Sequence, residues 1–149
     1  MNKFPTSFQA VDNVIIDRKG GRILLGRKKQ QPAWRFIGGF VDPTDYSLES
    51  ASLREKREET RFGISWYATD IFPRYLFSFR VKDPRYETGP DKIMSAVFLS
   101  FFSHGFPKAG DDIDRLKWFT KNYVRINYKK IIMPEHHPII EGLVEEGLL

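Results

Sequence analysis

Short runs of apolar and β-branched residues mark strands along the chain, and they are broken by Gly and Pro clusters. Phe8 to Asp17 (FQAVDNVIID) is rich in β-branched residues, and the Lys19-Gly20-Gly21 turn leads into Arg22 to Arg27 (RILLGR), which predicts an opening hairpin. Gln30 to Ala33 reads as a loop, Trp34 to Val41 (WRFIGGFV) as a short apolar run broken by two glycines, and Asp42 to Asp45 as a turn. Ser47 is a good N-cap with Glu49 and Ser50 behind it, and Leu48 to Phe62 contains no Gly or Pro. These features predict a helix of about four turns, ended by Gly63. Ile64 to Val81 is dominated by aromatic and β-branched residues, with Pro73 limiting pairing, and Lys92 to Ser103 (KIMSAVFLSFFS) is the most strand-like segment. The polar loop Lys82 to Asp91 separates them. A second loop, His104 to Asp112, precedes a short strand around Leu116 to Phe119, and Pro134 opens a last helix running to about Glu146. Strands with two segregated helices predict an α/β sandwich around a mixed sheet.

With 149 residues, 41% of them hydrophobic, the chain fits one domain, 1–149, and neither an internal repeat nor an interdomain linker divides it. Its longest uncharged apolar stretch, Ala96 to Phe102, is far short of the roughly 20 residues that span a bilayer. No apolar segment follows Met1-Asn2-Lys3, so a soluble, unprocessed protein is expected. The absence of cysteine excludes disulfides, thiolate metal sites and a cysteine nucleophile, and it suits a cytoplasmic location. The net charge of +5 is uneven: seven basic residues and no acid lie between Arg18 and Arg35, which leaves the rest of the chain slightly acidic. Such a stretch either attracts an anion or forms a solvated turn between strands.

The segment Arg54 to Arg61, REKREETR, carries the most chemistry. On a helix, Glu55, Glu58 and Glu59 fall within about 100° of arc, and Arg54, Arg57 and Arg61 form the neighbouring stripe. Glu55 and Glu59, four residues apart, repel each other unless something positive stands between them. Mg²⁺ and Mn²⁺ take oxygen ligands of this kind; the plainer reading is a solvated helix whose acids pair with its arginines.

The stretch from Trp34, WRFIGGFVDPTDYSLESASLREKREETRFGI, resembles the Nudix box, GX5EX7REUXEEXGU with U aliphatic. Gly39 matches its start, and Arg54, Glu55, Glu58 and Glu59 match its core. The chain departs from the pattern at Tyr46, which stands at the first glutamate with Asp45 beside it as a substitute, at Lys56 for the aliphatic residue, and at Arg61 for the last glycine. The resemblance implies a Nudix-type α/β/α sandwich and hydrolysis of a nucleoside diphosphate linked to another group, with Mg²⁺ or Mn²⁺. It assigns the metal to Glu55, Glu58 and Glu59 with the backbone at Gly39, and the orientation of the box to Arg54. Glu58 or Glu59 could activate the water; otherwise the base is a distant acid, and among Glu87, Asp111, Asp112 and Glu135 the first choice is Glu87. His136 and His137 sit just inside the last helix, where adjacent residues point apart, so joint metal binding is not expected and both are read as surface or partly packed residues.

The segments Asp83-Pro84-Arg85-Tyr86, KIMSAVF from Lys92, Gly110-Asp111-Asp112 with Lys117-Trp118-Phe119, and Pro134 to His137 look like the ADP-ribose and nucleoside-diphosphate-sugar branch of the family. Arg27 and Arg35 suit phosphate contacts, and Trp34, Tyr75, Phe79 and Trp118 are either base-stacking or core residues. Two other readings stay open: a nucleoside triphosphate or RNA 5′-end hydrolase, suggested by the basic stretch, and a nucleotide-binding module without catalysis, suggested by Tyr46, Lys56 and Arg61. A small-molecule nucleotide is expected as the partner in preference to a nucleic acid or a membrane, and the resemblance also admits a homodimer.

Overall fold

A computed structural model describes residues 4–17, 19, 21–61, 73–102 and 105–149. Six strands are present: β1 (Ser7–Asp17), β2 (Arg22–Lys28), β3 (Ile37–Phe40), β4 (Arg74–Val81), β5 (Lys92–Phe102) and β6 (Ile113–Thr120). Three helices accompany them, α1 (Leu48–Thr60), α2 (Lys121–Ile131) and α3 (His137–Glu145), with short 3-10 turns at Pro84–Tyr86 and Pro134–His136. The strands form one mixed sheet in the order β4-β5-β1-β2-β6, and β3 also pairs with β1. β1 and β5 run parallel along their whole length, from Ser7↔Lys92 to Asp17↔Phe102, and all other pairs are antiparallel.

The expected β1–β2 hairpin pairs only at its closed end, Ile16↔Ile23 and Asp17↔Arg22. Beyond that point the strands part. β3 pairs with residues 10–13 of β1, and Arg35, just ahead of it, pairs with Gly26 of β2. The glycines at 38 and 39 are thereby carried into the middle of the sheet.

Alternation along β1 sends its residues to two helical layers. Val14 and Ile16 face a core that includes Ile23, Leu25, Val124 of α2, and Ile139, Ile140 and Leu143 of α3. Val11 packs with Ala51 of α1. Asn13 lies on the α1 side too, where its amide donates to the Ser52 carbonyl at 3.2 Å and its oxygen accepts from the Ser52 hydroxyl at 2.5 Å. Burying each large apolar side chain of these layers contributes about 1.5–3 kcal/mol, and the Asn13–Ser52 pair fixes where α1 sits along the strand.

The sandwich is as expected, but it has three helices where two were read. The missed α2 (KNYVRINYKKI) is poor in strong helix formers; it is held by a Thr120 cap on the Tyr123 N–H and by the packing of Val124. The last helix begins at His137, and Pro134 opens a 3-10 turn before it. α1 stops at Thr60, two residues short of the expected end, because Arg61 adopts the left-handed conformation (φ 52, ψ 34) and its N–H returns to the Arg57 carbonyl. The Ile64 to Phe72 part of the predicted strand and Gly63 lie outside the described residues. Among the described residues, no helix is long and apolar enough to cross a membrane.

Candidate active site

α1 starts with a reciprocal cap. The Ser50 N–H donates to the Ser47 hydroxyl at 3.0 Å, and the Ser47 N–H donates to the Ser50 hydroxyl at 2.8 Å. Two turns later, Arg54 gathers the site. Its Nε and Nη2 donate to the two oxygens of Asp45, each at 2.9 Å, and Nη2 also reaches the Phe40 carbonyl at 3.1 Å. Nη1 donates to Glu55 Oε1 at 3.0 Å and Glu58 Oε2 at 3.2 Å. All five guanidinium hydrogens therefore have acceptors, on three separate chain segments.

The pairing lowers the Asp45 pKa below the usual carboxylate range and raises that of Arg54. Tyr46, at the counted position of the first box glutamate, is 97% exposed, and the anchoring is done by Asp45. Five residues separate Gly39 from Asp45, as in the pattern, so the extra residue lies between Asp45 and Arg54.

Glu55 and Glu59 are buried, one turn apart on the same face of α1. Burial raises both pKa values; that of Glu59 is pushed up to about 9, helped by the charges of Glu55 and Asp112 and opposed by Arg35. Glu58, on the outer side of the same stripe, is exposed. A Cβ added at Gly39 would stand 2.6 Å from Glu55 Oε1, and one at Gly38 would stand 2.7 Å from Asp12 Oδ1, so only glycine lets the strand pass this close to both carboxylates. Among the described residues, no three His, Asp or Glu side chains stand close enough together to hold a cation as they are arranged here. The donor set is nevertheless all oxygen, and the raised Glu59 pKa leaves a proton there that a hard divalent ion could displace.

Lys56, at the box's aliphatic position, is as buried as an aliphatic side chain and donates from Nζ to the Ser100 hydroxyl at 3.0 Å. Its charge is turned into the sheet, away from the carboxylate stripe.

Beside Gly38 and Gly39 opens a cleft of about 260 Å³, whose walls include Asp12, Arg35, Phe40, Arg85, Glu135 and His136. His136 corrects the expectation of a surface residue, being only 7% exposed. Its Nδ1 accepts from the Phe36 N–H at 3.0 Å, so Nε2 carries the proton and faces Asp12 Oδ1 at 3.3 Å. Ser95 donates to the other Asp12 oxygen at 2.6 Å. Burial lowers the His136 pKa, in keeping with a neutral ring. His137 is partly buried, as expected, with its ring against Tyr128.

The expected substrate contacts divide because neighbouring strand residues point to opposite faces. Arg35 borders the cleft, close enough to influence Glu59. Trp34 and Arg27 turn the other way, with the Arg27 guanidinium 5.2 Å from the Trp34 ring centre. Neither lines the cleft, and nor do Tyr75, Phe79 or Trp118, which pack against Phe98, the main core and Phe102 respectively. Of the distant acids, Glu135 lines the cleft, and Asp112 bonds Lys28 at 2.7 Å while acting on Glu59. Glu87, the first choice, is exposed at the end of a 3-10 turn outside the cleft, and Asp111 is an exposed left-handed turn residue. Asp12, Phe40 and Arg85 were missed; the signal for Asp12 was a carboxylate in the middle of a β-branched run.

A family model for the NUDIX domain matches residues 7–143. The chain belongs to the Nudix family. A comparison with curated proteins finds no match. Among solved structures, the chain is similar to a bifunctional NMN adenylyltransferase/ADP-ribose pyrophosphatase from Francisella tularensis, complexed with AMP and manganese, at 26% identity and a TM-score of 0.70. That match covers 97% of this chain and 43% of the other, so the chain spans less than half the length of that protein. A MutT protein from Methanosarcina mazei Go1 matches at 21% identity and a TM-score of 0.74, covering 98% and 99% of the two chains. The Nudix domain of Shewanella oneidensis NrtR, complexed with ADP-ribose, matches at 20% and 0.68, covering 96% and 90%. These two likenesses establish the fold.

Proposed function

We propose that this Nudix domain hydrolyses the pyrophosphate bond of a nucleoside diphosphate derivative, ADP-ribose or a sugar nucleotide, and releases a nucleoside monophosphate. The reading rests above all on one observation: the buried Glu55, on the same helical stripe as buried Glu59, stands against the Gly39 backbone at the edge of a cleft with two arginines in its walls. Glu55, Glu58 and Glu59, with the Gly39 backbone, are the residues that would hold Mg²⁺ or Mn²⁺. A bound divalent ion supplies charge neutralisation at the pyrophosphate and a more acidic water. Arg35 and Arg85 present guanidinium donors to phosphate oxygens, and Arg54 keeps the carboxylates in place without touching substrate. Glu135, in the cleft wall, replaces Glu87 as the preferred proton acceptor for the attacking water. The likeness to proteins complexed with AMP and manganese or with ADP-ribose supports this substrate class.

The test is a panel of nucleotide pyrophosphates incubated with Mg²⁺ and with Mn²⁺, with nucleoside monophosphate release measured. ADP-ribose or a sugar nucleotide is expected to be cleaved, and Glu58→Gln and Glu59→Gln to abolish cleavage. Unchanged turnover in both variants, or a preference for 5′-triphosphate RNA over ADP-ribose in direct competition, overturns the reading.

A further inference from the structure

The basic stretch that opened the chain is not used up by the cleft. Arg22 bonds Asp17 at 2.6 Å, Lys28 bonds Asp112, and Arg35 borders the cleft. Arg27 instead stands directly opposite Arg115 across the β2–β6 ladder, with Lys117 two residues further along β6 and on the same face. Like charges set opposite each other in a sheet are destabilising, and among the described residues none of Arg27, Arg115, Lys117 or Lys130 has an ion-pair partner.

Aromatic rings underlie this positive surface, and Tyr123 reaches it. Arg27 lies over Trp34, Trp34 meets Phe119 edge-on at 5.1 Å, and Phe119 stacks on Tyr123 of α2 at 5.9 Å with 18° between planes. The Lys117 ammonium sits 5.1 Å from the Phe119 ring centre. Tyr123 is 46% exposed, and Lys130 follows it on the same stripe of α2, seven residues on. This surface is on the β2–β6 side of the sheet, whereas the cleft opens on the β1–β3 side.

We propose that the β2–β6–α2 face binds single-stranded nucleic acid, independently of the pyrophosphate cleft. The unneutralised cations match a phosphate backbone, and the exposed ring of Tyr123 offers a stacking face for a base, which a duplex would not present. A row of cations alone would serve an anionic membrane or keep an edge strand from aggregating; the exposed Tyr123 ring beside them favours unpaired bases.

The experiment is fluorescence anisotropy with a labelled oligouridine RNA of about 12 nucleotides, a matching duplex and phosphatidylserine vesicles, over about 50 to 200 mM salt. Four phosphate contacts predict a log–log salt slope of about −3 for the single strand, and weaker binding of the duplex. The double variant Arg115→Glu/Lys117→Glu is expected to bind at least about tenfold more weakly with a slope roughly halved, and Tyr123→Ala about tenfold more weakly with the slope unchanged. Both variants should keep their circular dichroism spectrum and their nucleotide hydrolysis. Absence of RNA binding at the lowest salt, equal binding by the variants, or binding to vesicles without binding to RNA overturns the proposal.

Discussion

Glu59→Gln should make the protein more stable at neutral pH while removing its chemistry. Glu59 has an ordinary pKa of 4.5 that the folded site pushes up to about 9, chiefly by burial. Between those values the unfolded chain carries the ionised group and the folded chain the protonated one. Folding then takes up a proton, and stability falls as pH rises, by about 1.4 kcal/mol per pH unit. At pH near 7 the accumulated loss is about 3 kcal/mol. Glutamine is uncharged at every pH, and its amide can donate to a neighbouring oxygen as the protonated Glu59 carboxyl can. Allowing for imperfect replacement of that bond, the variant should gain about 1–3 kcal/mol near neutrality, a Tm rise of about 3–10 °C for a domain of this size. Well below pH 4.5 both states of the wild type are protonated, so the variant's advantage should vanish and it should melt with the wild type or slightly below it. Thermal melts from acid to neutral pH, without added metal, provide the assay. A variant less stable than wild type near neutrality, or a difference that does not change with pH, refutes the reasoning.

Three further outcomes are expected. Because a cation at this pair must displace the Glu59 proton, the apparent affinity for Mg²⁺ should rise with pH up to about 9, and calorimetry in two buffers should show about one proton released per ion. Gly39→Ala places a methyl group 2.6 Å from Glu55 Oε1, so it should cut hydrolysis at least about tenfold while circular dichroism stays unchanged. Asp45→Asn takes apart the doubly bonded ion pair with Arg54 and should cost about 1–3 kcal/mol in denaturant unfolding, whereas Tyr46→Ala, at an exposed side chain, should stay within about 0.5 kcal/mol of wild type.

Much of the architecture could be read from local signals. The Ser47 cap and the β-branched runs that became β1 and β5 depend on near neighbours, and those expectations held. α2 could not be read because its helical state comes from Val124 reaching a core built by distant strands. The wedge of β3 between β1 and β2 is equally non-local: nothing within Phe8 to Arg27 announces that the hairpin opens after two pairs. In the site, the carboxylate stripe and Gly39 followed from helical spacing and a motif. Arg27 and Trp34 were misplaced because nearness in sequence stood in for orientation, and Arg35, between them and the cleft in the chain, faces the other way. His136 was misread because adjacent histidines suggested a surface, while the Phe36 N–H and Asp12 provide buried partners a hundred or more residues away in the chain.

The exposed Tyr46 shows how the box absorbs an insertion. Asp45 keeps its distance in sequence from Gly39, and one additional residue is spliced in before the helix. That residue is extruded into water, so the carboxylate still arrives at Arg54. The motif thus acts as a template of atoms whose letters can slip, provided the surplus length leaves sideways. A search that insisted on the letter at each position would reject a chain whose anchor is intact.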